Sequence, residues 1–264
     1  MAAMALISIL SWDSPRYLDN LLGDLSAHPP GSNYAVVIVD QGSEPETRAL
    51  LKAFAARTPG VSVKLLRTNI GYGAGHNLAY ELMRRKLAFD FFVTINNDVI
   101  FGQPGWLDTL VGAMVADPGV AIGGPFCDAV RPTAGAVNQD FAYICGAVAI
   151  IRTSVAERYG LFDAAFAPAY FEDTDMCRRY EWVGFRQRHI EIPVVHGYLS
   201  DTDPVNVAKK EVLAATYGNF YLNNKLLLFN RWWRHPPSLR SAADLRTTFP
   251  KLYIPLAADR RLPP

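Results

Sequence analysis

Cysteine is scarce: Cys127, Cys145 and Cys177 are an odd number and contain no Cys-x-x-Cys pair. Such a set argues against a disulfide framework and against a thiolate zinc site, and it makes a reducing, cytosolic compartment the expectation. An excess of either charge is lacking too, with 26 Lys and Arg against 25 Asp and Glu. No overall field therefore draws the chain to nucleic acid or to an acidic membrane, and any anion must be held by local groups. No apolar run reaches the ~18 residues that a spanning helix needs. The start, Met1 to Leu10, lacks a basic n-region and reads as a first strand rather than a signal peptide. Internal repeats are absent, and low complexity is confined to a Pro-rich tail.

Apolar residues make up 50% of the 264, enough for one large domain with a full core. Strand-length apolar runs alternate with helical spacings through the first half, which predicts a parallel α/β architecture. Ala5 to Leu10 is a strand; Ser14, Pro15 and then Leu18, Leu21, Leu22 and Leu25 make a cap and an amphipathic helix. Ala35 to Val39 ends on Asp40, and Ser43 with Glu46 suits a capping box before a helix over Leu50, Leu51 and Phe54. Val61 to Leu66 is a third strand, and a helix is expected from near Ala74 after the glycine-rich stretch Asn69 to His76. Phe91 to Ile95 is a fourth strand, stopping on Asn96-Asn97-Asp98. Ser11, Asp40, Asn69 and Asp98 thus gather at strand ends, the edge where open α/β sheets bind ligands.

The second half predicts a long strand from Tyr143 to Ile151, a helix from about Asp173 to Val183, short strands from Phe185 to Val195, and helix over 207–229. From Arg231 the tail carries Pro236, Pro237, Pro250, Pro255, Pro263 and Pro264 and reads as an irregular arm. The expected organisation is a catalytic domain over 1–230 and an arm over 231–264.

Four constellations bear on chemistry, each with a plainer alternative. Asn96-Asn97-Asp98 is a strand-end turn or a hard-oxygen site for a divalent cation that neutralises a diphosphate. Glu172-Asp173-Thr174-Asp175 is a set of acids favoured by a helix dipole, or it carries a general base. His196, between a short apolar strand and Gly197, is a structural histidine or a metal ligand. Gly71, Gly73 and Gly75 allow close backbone approach to an anion at a helix start, but they lack the dinucleotide fingerprint.

Taken in order, Val39-Asp40-Gln41-Gly42-Ser43, Asn69-x-Gly71-Tyr72-Gly73 with Asn77, Asn96-Asn97-Asp98, Cys145 to Arg152, Gly160 to Asp163, and Phe171 to Asp175 with Arg178 resemble the glycosyltransferase family 2 pattern on the GT-A fold. The resemblance runs from about Ala5 to His196 and implies a Rossmann-like, mostly parallel sheet flanked by helices, with a mixed C-terminal extension. It implies that Asp40 contacts the donor's pyrimidine or ribose, that Gly71, Gly73 and Asn77 lie beside the nucleotide, and that Asn96 and Asn97 belong to the donor side. Asp98 and His196 would hold Mn2+ or Mg2+, and Asn96 stands where many relatives have a first acid. Asp173 matches the catalytic base of a single, inverting displacement from a UDP-, dTDP- or GDP-linked sugar to a saccharide or lipid-linked saccharide acceptor. Asn96-Asn97-Asp98-Val99 is similar to rhamnosyltransferase-like members, and surface polysaccharide synthesis is the implied role.

Two other functions compete. A sugar-phosphate nucleotidyltransferase needs a glycine-rich basic loop after the first strand, where this chain has Ser11 to Arg16. A non-catalytic binding or assembly protein on the same scaffold is opposed by the joint presence of Asp98, Asp173 and His196. Phe229 to His235 is either an aromatic, basic patch touching the inner membrane face or, through Trp232 and Trp233, packing against the core or a second subunit.

Overall fold

The computed structural model describes residues 3–31, 33–130, 141–197, 203–234 and 242–255. Its first half alternates strand and helix: β1 (Ala5–Ser11), α1 (Pro15–Ala27), β2 (Tyr34–Asp40), α2 (Pro45–Arg57), β3 (Val61–Leu65), α3 (Tyr72–Arg84) and β4 (Phe91–Ile95). β5 (Val99–Ile100), α4 (Trp106–Ala116), β6 (Val120–Gly124), β7 (Cys127–Val130), β8 (Phe141–Ile144) and β9 (Val148–Arg152) follow. After α5 (Thr153–Tyr159) come a 3-10 turn (Ala164–Phe166), α6 (Glu172–Trp182), β10 (Arg186–His189), β11 (Val195–His196), α7 (Pro204–Tyr217), α8 (Phe220–Phe229), a π turn (Asn230–Arg234) and α9 (Ala242–Thr248).

The central sheet runs β10-β6-β9-β4-β1-β2-β3. Only β9 is antiparallel to its neighbours, β4 and β6, while the other four pairs are parallel. β1 is buried at every position and β4 likewise, as strands covered by helices on both faces must be. One apolar cluster joins one face to α1, α2 and α4, and a second joins the other face to α3, α5 and α6. The expected mainly parallel α/β architecture is therefore present.

Local departures have physical causes. Ser43 caps nothing: α2 begins at Pro45, whose fixed φ suits a first helical position, and Ser43 Oγ instead accepts from Asp13 N–H. α3 begins at Tyr72, not Ala74, and takes Gly73 and Gly75 inside. A Cβ on either would come within 2.9 Å, of Phe162 Cβ and of Leu10 Cδ2 respectively, so these glycines let a helix sit close to its neighbours. The long strand over 143–151 breaks at Cys145–Ala147: β8 pairs with β7, and β9 enters the central sheet. The helix over 207–229 is two helices meeting at Gly218, whose φ of +64° ends α7.

The tail is less irregular than its prolines suggest. Pro236, Pro237, Pro263, Pro264 and His235 lie outside the described residues. Trp232, Leu245, Phe249 and Ile254 pack with Phe166, Phe171 and Leu228 into a third apolar cluster. Trp232 is 2% exposed, lies against Trp182 and Phe249, and donates its indole N–H to Asp175. Trp233 packs against Phe141 and Phe229. The pair thus packs on the core, and Trp232 is withdrawn from any membrane surface. Among the described residues no helix is long and apolar enough to cross a membrane.

Arg231 fastens this arm to the body. Its Nη1 lies 2.8 Å from Asp175 Oδ1 and its Nη2 3.0 Å from Asp163 Oδ2. The two carboxylates are fully buried, and Arg179, also buried, bonds the other oxygen of Asp175. Removing one member of a buried ion cluster strands its partners' charge. Arg231→Met is expected to lower unfolding free energy by about 3–5 kcal/mol in urea titration; a loss below about 1 kcal/mol, the size of an exposed pair, would mean that the cluster is solvated.

Candidate active site

The carboxyl ends of β1, β2 and β4 open on one edge, where Ser11 pairs with Asp40 in register. Because β9 runs antiparallel beside β4, with Val148 opposite Ile95, the turn before β9 arrives at that same edge. Asn96 N–H donates to Ala147 O at 2.9 Å, and the next peptide, at Gly146, meets the first turn of α6. A cleft of about 530 Å³ lies here, lined by Asn96, His196, Glu172, Asp173, Tyr143 and Tyr221 among others.

Gly146 fixes the acid. Its N–H donates to Asp173 Oδ2 at 2.9 Å, while its carbonyl accepts from Tyr72 Oη at 2.6 Å and Thr94 Oγ1 at 2.7 Å. A Cβ on Gly146 would lie 2.7 Å from Tyr72 Oη, so only glycine fits without moving that ring. The second oxygen of Asp173 accepts from Thr174 N–H at 2.7 Å. Burial raises the pKa of Asp173, and the hydrogen bonds from Gly146 and Thr174 restrain the rise. Glu172 is raised well above the usual carboxylate range, first by burial and then by the charge of Asp173. Its Oε2 has no hydrogen-bond partner among the described residues. Of the two acids, Asp173 is thus the one held ready to ionise. Asp175, two residues on, turns away into the arm's ion cluster.

Across the cleft, β11 pairs antiparallel with β5, His196 opposite Val99, and Gly197 N–H bonds Asp98 O. His196 Nε2 consequently stands 3.4 Å from Asp98 Oδ1 and 3.3 Å from Asn96 Nδ2. Asn97 and Asp98 form the half-buried turn between β4 and β5. Among the described residues no three His, Cys, Asp or Glu side chains converge as a metal-binding group. One carboxylate, one imidazole and an amide nevertheless make a donor set suited to a hard or borderline divalent cation whose shell is completed from elsewhere.

Asp40 is fully buried, accepts from Ser43 N–H at 3.3 Å and lies 3.4 Å from Arg48 Nε. Its Oδ1 and the neighbouring Ser11 Oγ have no hydrogen-bond partner among the described residues. The loop before α3 lies against this strand end, where Ile70 N–H donates to Gln41 Oε1 at 3.1 Å. Gly71 precedes α3 and hydrogen-bonds Asn69 Oδ1, and Gly73 packs beneath Phe162. Both polar atoms of the Asn77 amide are used by the backbone of Phe162, at 2.9 and 3.2 Å. Asn77 is therefore a clasp between α3 and the chain before α6.

Lys209 was not legible in the sequence. Carried on α7, it donates to Ser14 Oγ and lies 5.6 Å from the Trp12 ring centre. Burial lowers its pKa to about 8, opposed by the charges of Asp13, Asp98 and Asp203. Tyr221 and Lys225 on α8 also reach the cleft, although their spacing signalled only a helix.

Residues 7–160 match the model of Glycosyl transferase family 2. No curated protein matches the sequence. In fold the chain is similar to the mannosyltransferase PcManGT from Pyrobaculum calidifontis in complex with GDP-Man and Mn2+, at 16% identity and a TM-score of 0.59, covering all of this chain and 77% of that one. It is also similar to TarS of S. aureus, at 15% and 0.53, over 88% of this chain and 44% of that one. GalNAc-T7 with UDP, GalNAc and Mn2+ gives 11% and 0.57, over 93% and 54%. The chain thus spans about half the length of the latter two. Likenesses at such identities carry the fold, the mainly parallel sheet flanked by helices agrees with it, and the family model covers more than half of the sequence: the chain belongs to glycosyl transferase family 2 and has the GT-A fold.

Proposed function

We propose that the protein is an inverting glycosyltransferase that uses a divalent cation to move a hexosyl or deoxyhexosyl group from a nucleotide diphosphate to an acceptor hydroxyl. The observation that carries the reading is the meeting of Asp173 with Asn96 and His196 in one cleft. Asp173 accepts the proton of the acceptor hydroxyl while that oxygen bonds the anomeric carbon, and the bond to the diphosphate breaks on the opposite side of the sugar. Gly146 and Thr174 hold the carboxylate in place, while burial and the charge of Asp173 favour the proton on Glu172. Asp98 and His196 would hold Mn2+ or Mg2+, which when bound neutralises diphosphate charge. Lys209 adds positive charge near Asp98, offsetting part of what Asn96 fails to contribute to phosphate recognition. The unpartnered oxygens of Asp40 and Ser11 suit the base or ribose of a UDP, dTDP or GDP donor. Asn96-Asn97-Asp98-Val99 favours a rhamnosyl-like group, and assembly of a surface polysaccharide is the role we assign.

A thermal-shift panel of UDP-, dTDP- and GDP-sugars with Mn2+ is expected to single out one nucleotide, worth about 2.7 kcal/mol at ~100-fold saturation. Chelation, or Asp98→Ala, is expected to remove most of that shift; identical shifts with and without the ion would remove the cation from the proposal. Asp173→Asn is expected to slow turnover by ~10² to 10⁴ while the donor shift persists, and unchanged turnover would take Asp173 out of its role.

The pH dependence has a definite sign. Burial favours protonated Asp173, so it ionises above the ordinary ~3.9 of an aspartate, and kcat/KM rises with pH through that raised value. The same shift makes its contribution to stability complete below ~3.9 and lost as pH climbs through the raised pKa. A kcat/KM profile whose acid limb sits at or below ~3.9 would contradict this environment.

A further inference from the structure

On the side where α6 begins, aromatic rings line the mouth of the cleft. Tyr170 and Tyr221 line it and are 44% and 51% exposed. Tyr170 lies parallel to Phe220, 5.9 Å between centres at 11°, and edge-on to Tyr221 at 5.4 Å; Phe171 closes the group, 5.1 Å from Tyr221.

The backbone here is forced. Tyr170 and Phe171 have φ of +75° and +71°, a left-handed conformation that costs free energy for side chains of this size. Buried Asn224 on α8 imposes it by donating to the carbonyls of Phe166 at 2.8 Å and Ala169 at 2.9 Å, while Tyr72 N–H holds Pro168 O at 2.7 Å. Two helices thus clamp a strained turn, and its result is an exposed aromatic ring two residues before Glu172. Polar groups share the cleft with these rings: the Asp128 carboxylate, the Lys225 ammonium and Asp173 line it too.

We propose that Tyr170 and Tyr221 form the acceptor subsite and that the acceptor is a saccharide, whose pyranose ring lies against them while Asp128 and Lys225 bond its hydroxyls. This rests on the transfer reading of Asp173. One face of a pyranose carries C–H bonds of slight positive character, which suit the negative face of a tyrosine ring, and its rim carries hydroxyls that need bonding partners. A hydrocarbon chain in the same place would desolvate the Lys225 ammonium and the Asp128 carboxylate, which Tyr143 Oη and the Ala129 N–H bond, while adding no polar partner for either charge.

Saturation-transfer NMR with methyl α-D-mannopyranoside, methyl α-D-glucopyranoside and methyl α-L-rhamnopyranoside tests the subsite. The wild type is expected to saturate ring C–H protons of at least one glycoside. Tyr221→Leu, which keeps apolar bulk but removes the ring, is expected to weaken that glycoside roughly tenfold, equivalent to about 1.4 kcal/mol, and Tyr221→Phe to retain it. Tyr170→Leu, which keeps a Cβ at the left-handed position, gives a second reading should the first variant not fold. Leucine variants that bind as the wild type does, or a wild type that saturates none of the three, overturn the subsite. The donor thermal shift of the wild type separates the two proposals: a shift without glycoside saturation defeats only the acceptor subsite, whereas absence of both defeats glycosyl transfer as well.

Discussion

The peptide at Gly146 is held from both sides: its N–H by Asp173, and its carbonyl by Tyr72 and Thr94. Those partners come from α6, α3 and β4, and the glycine itself leads into β9. Four elements distant in sequence therefore meet at one amide plane. The antiparallel insertion of β9 between β4 and β6 is what delivers that plane to the edge where β1, β2 and β4 end. Were β9 parallel, its leading turn would open on the other edge, and α6 would have no anchor beside Asn96.

The acids of α6 divide their work by helix geometry. Asp173 and Asp175 are two residues apart, about 200° around an α-helix, and so face opposite ways. One looks into the cleft, where burial keeps its proton affinity high. The other looks into the core, where Arg179, Arg231 and Trp232 surround it. A positive helix end suits both, yet only the first is near solvent-accessible chemistry. The run of acids in the sequence is thus neither wholly catalytic nor wholly a dipole effect.

Much of this was legible in the residues. Strand-length apolar runs ending on Asp40 and on Asn96-Asn97-Asp98 locate the working edge, because the local pattern and the sheet agree there. The missed features depend on neighbours that a linear pattern does not contain. Gly73 and Gly75 look like a loop until Phe162 and Leu10 are seen pressing on the helix. Tyr143 to Ile151 looks like one strand because apolar residues continue through Cys145–Ala147, and only the bonds of Gly146 to Asp173, Tyr72 and Thr94 break it. Prolines in the tail say where helices stop and nothing about whether Phe249 and Ile254 between them find a core. Lys209 and Tyr221 are ordinary helix surface positions in sequence, and their place at the cleft follows from how α7 and α8 cross the strand ends.

The ion cluster that joins the arm to α6 has a consequence for the order of events during synthesis. Arg231 follows Asp175 by 56 residues, so a growing chain presents the acid-bearing helix with Arg179 in place but well before the second countercharge exists. Until then Asp163 awaits the guanidinium that pairs it and Asp175 has Arg179 alone, so leaving water costs both carboxylates more than it does in the finished fold. The parallel strands are thus synthesised before the residue that completes the charge balance at Asp163 and Asp175, and those carboxylates give up their last water only once Arg231 is there to replace it.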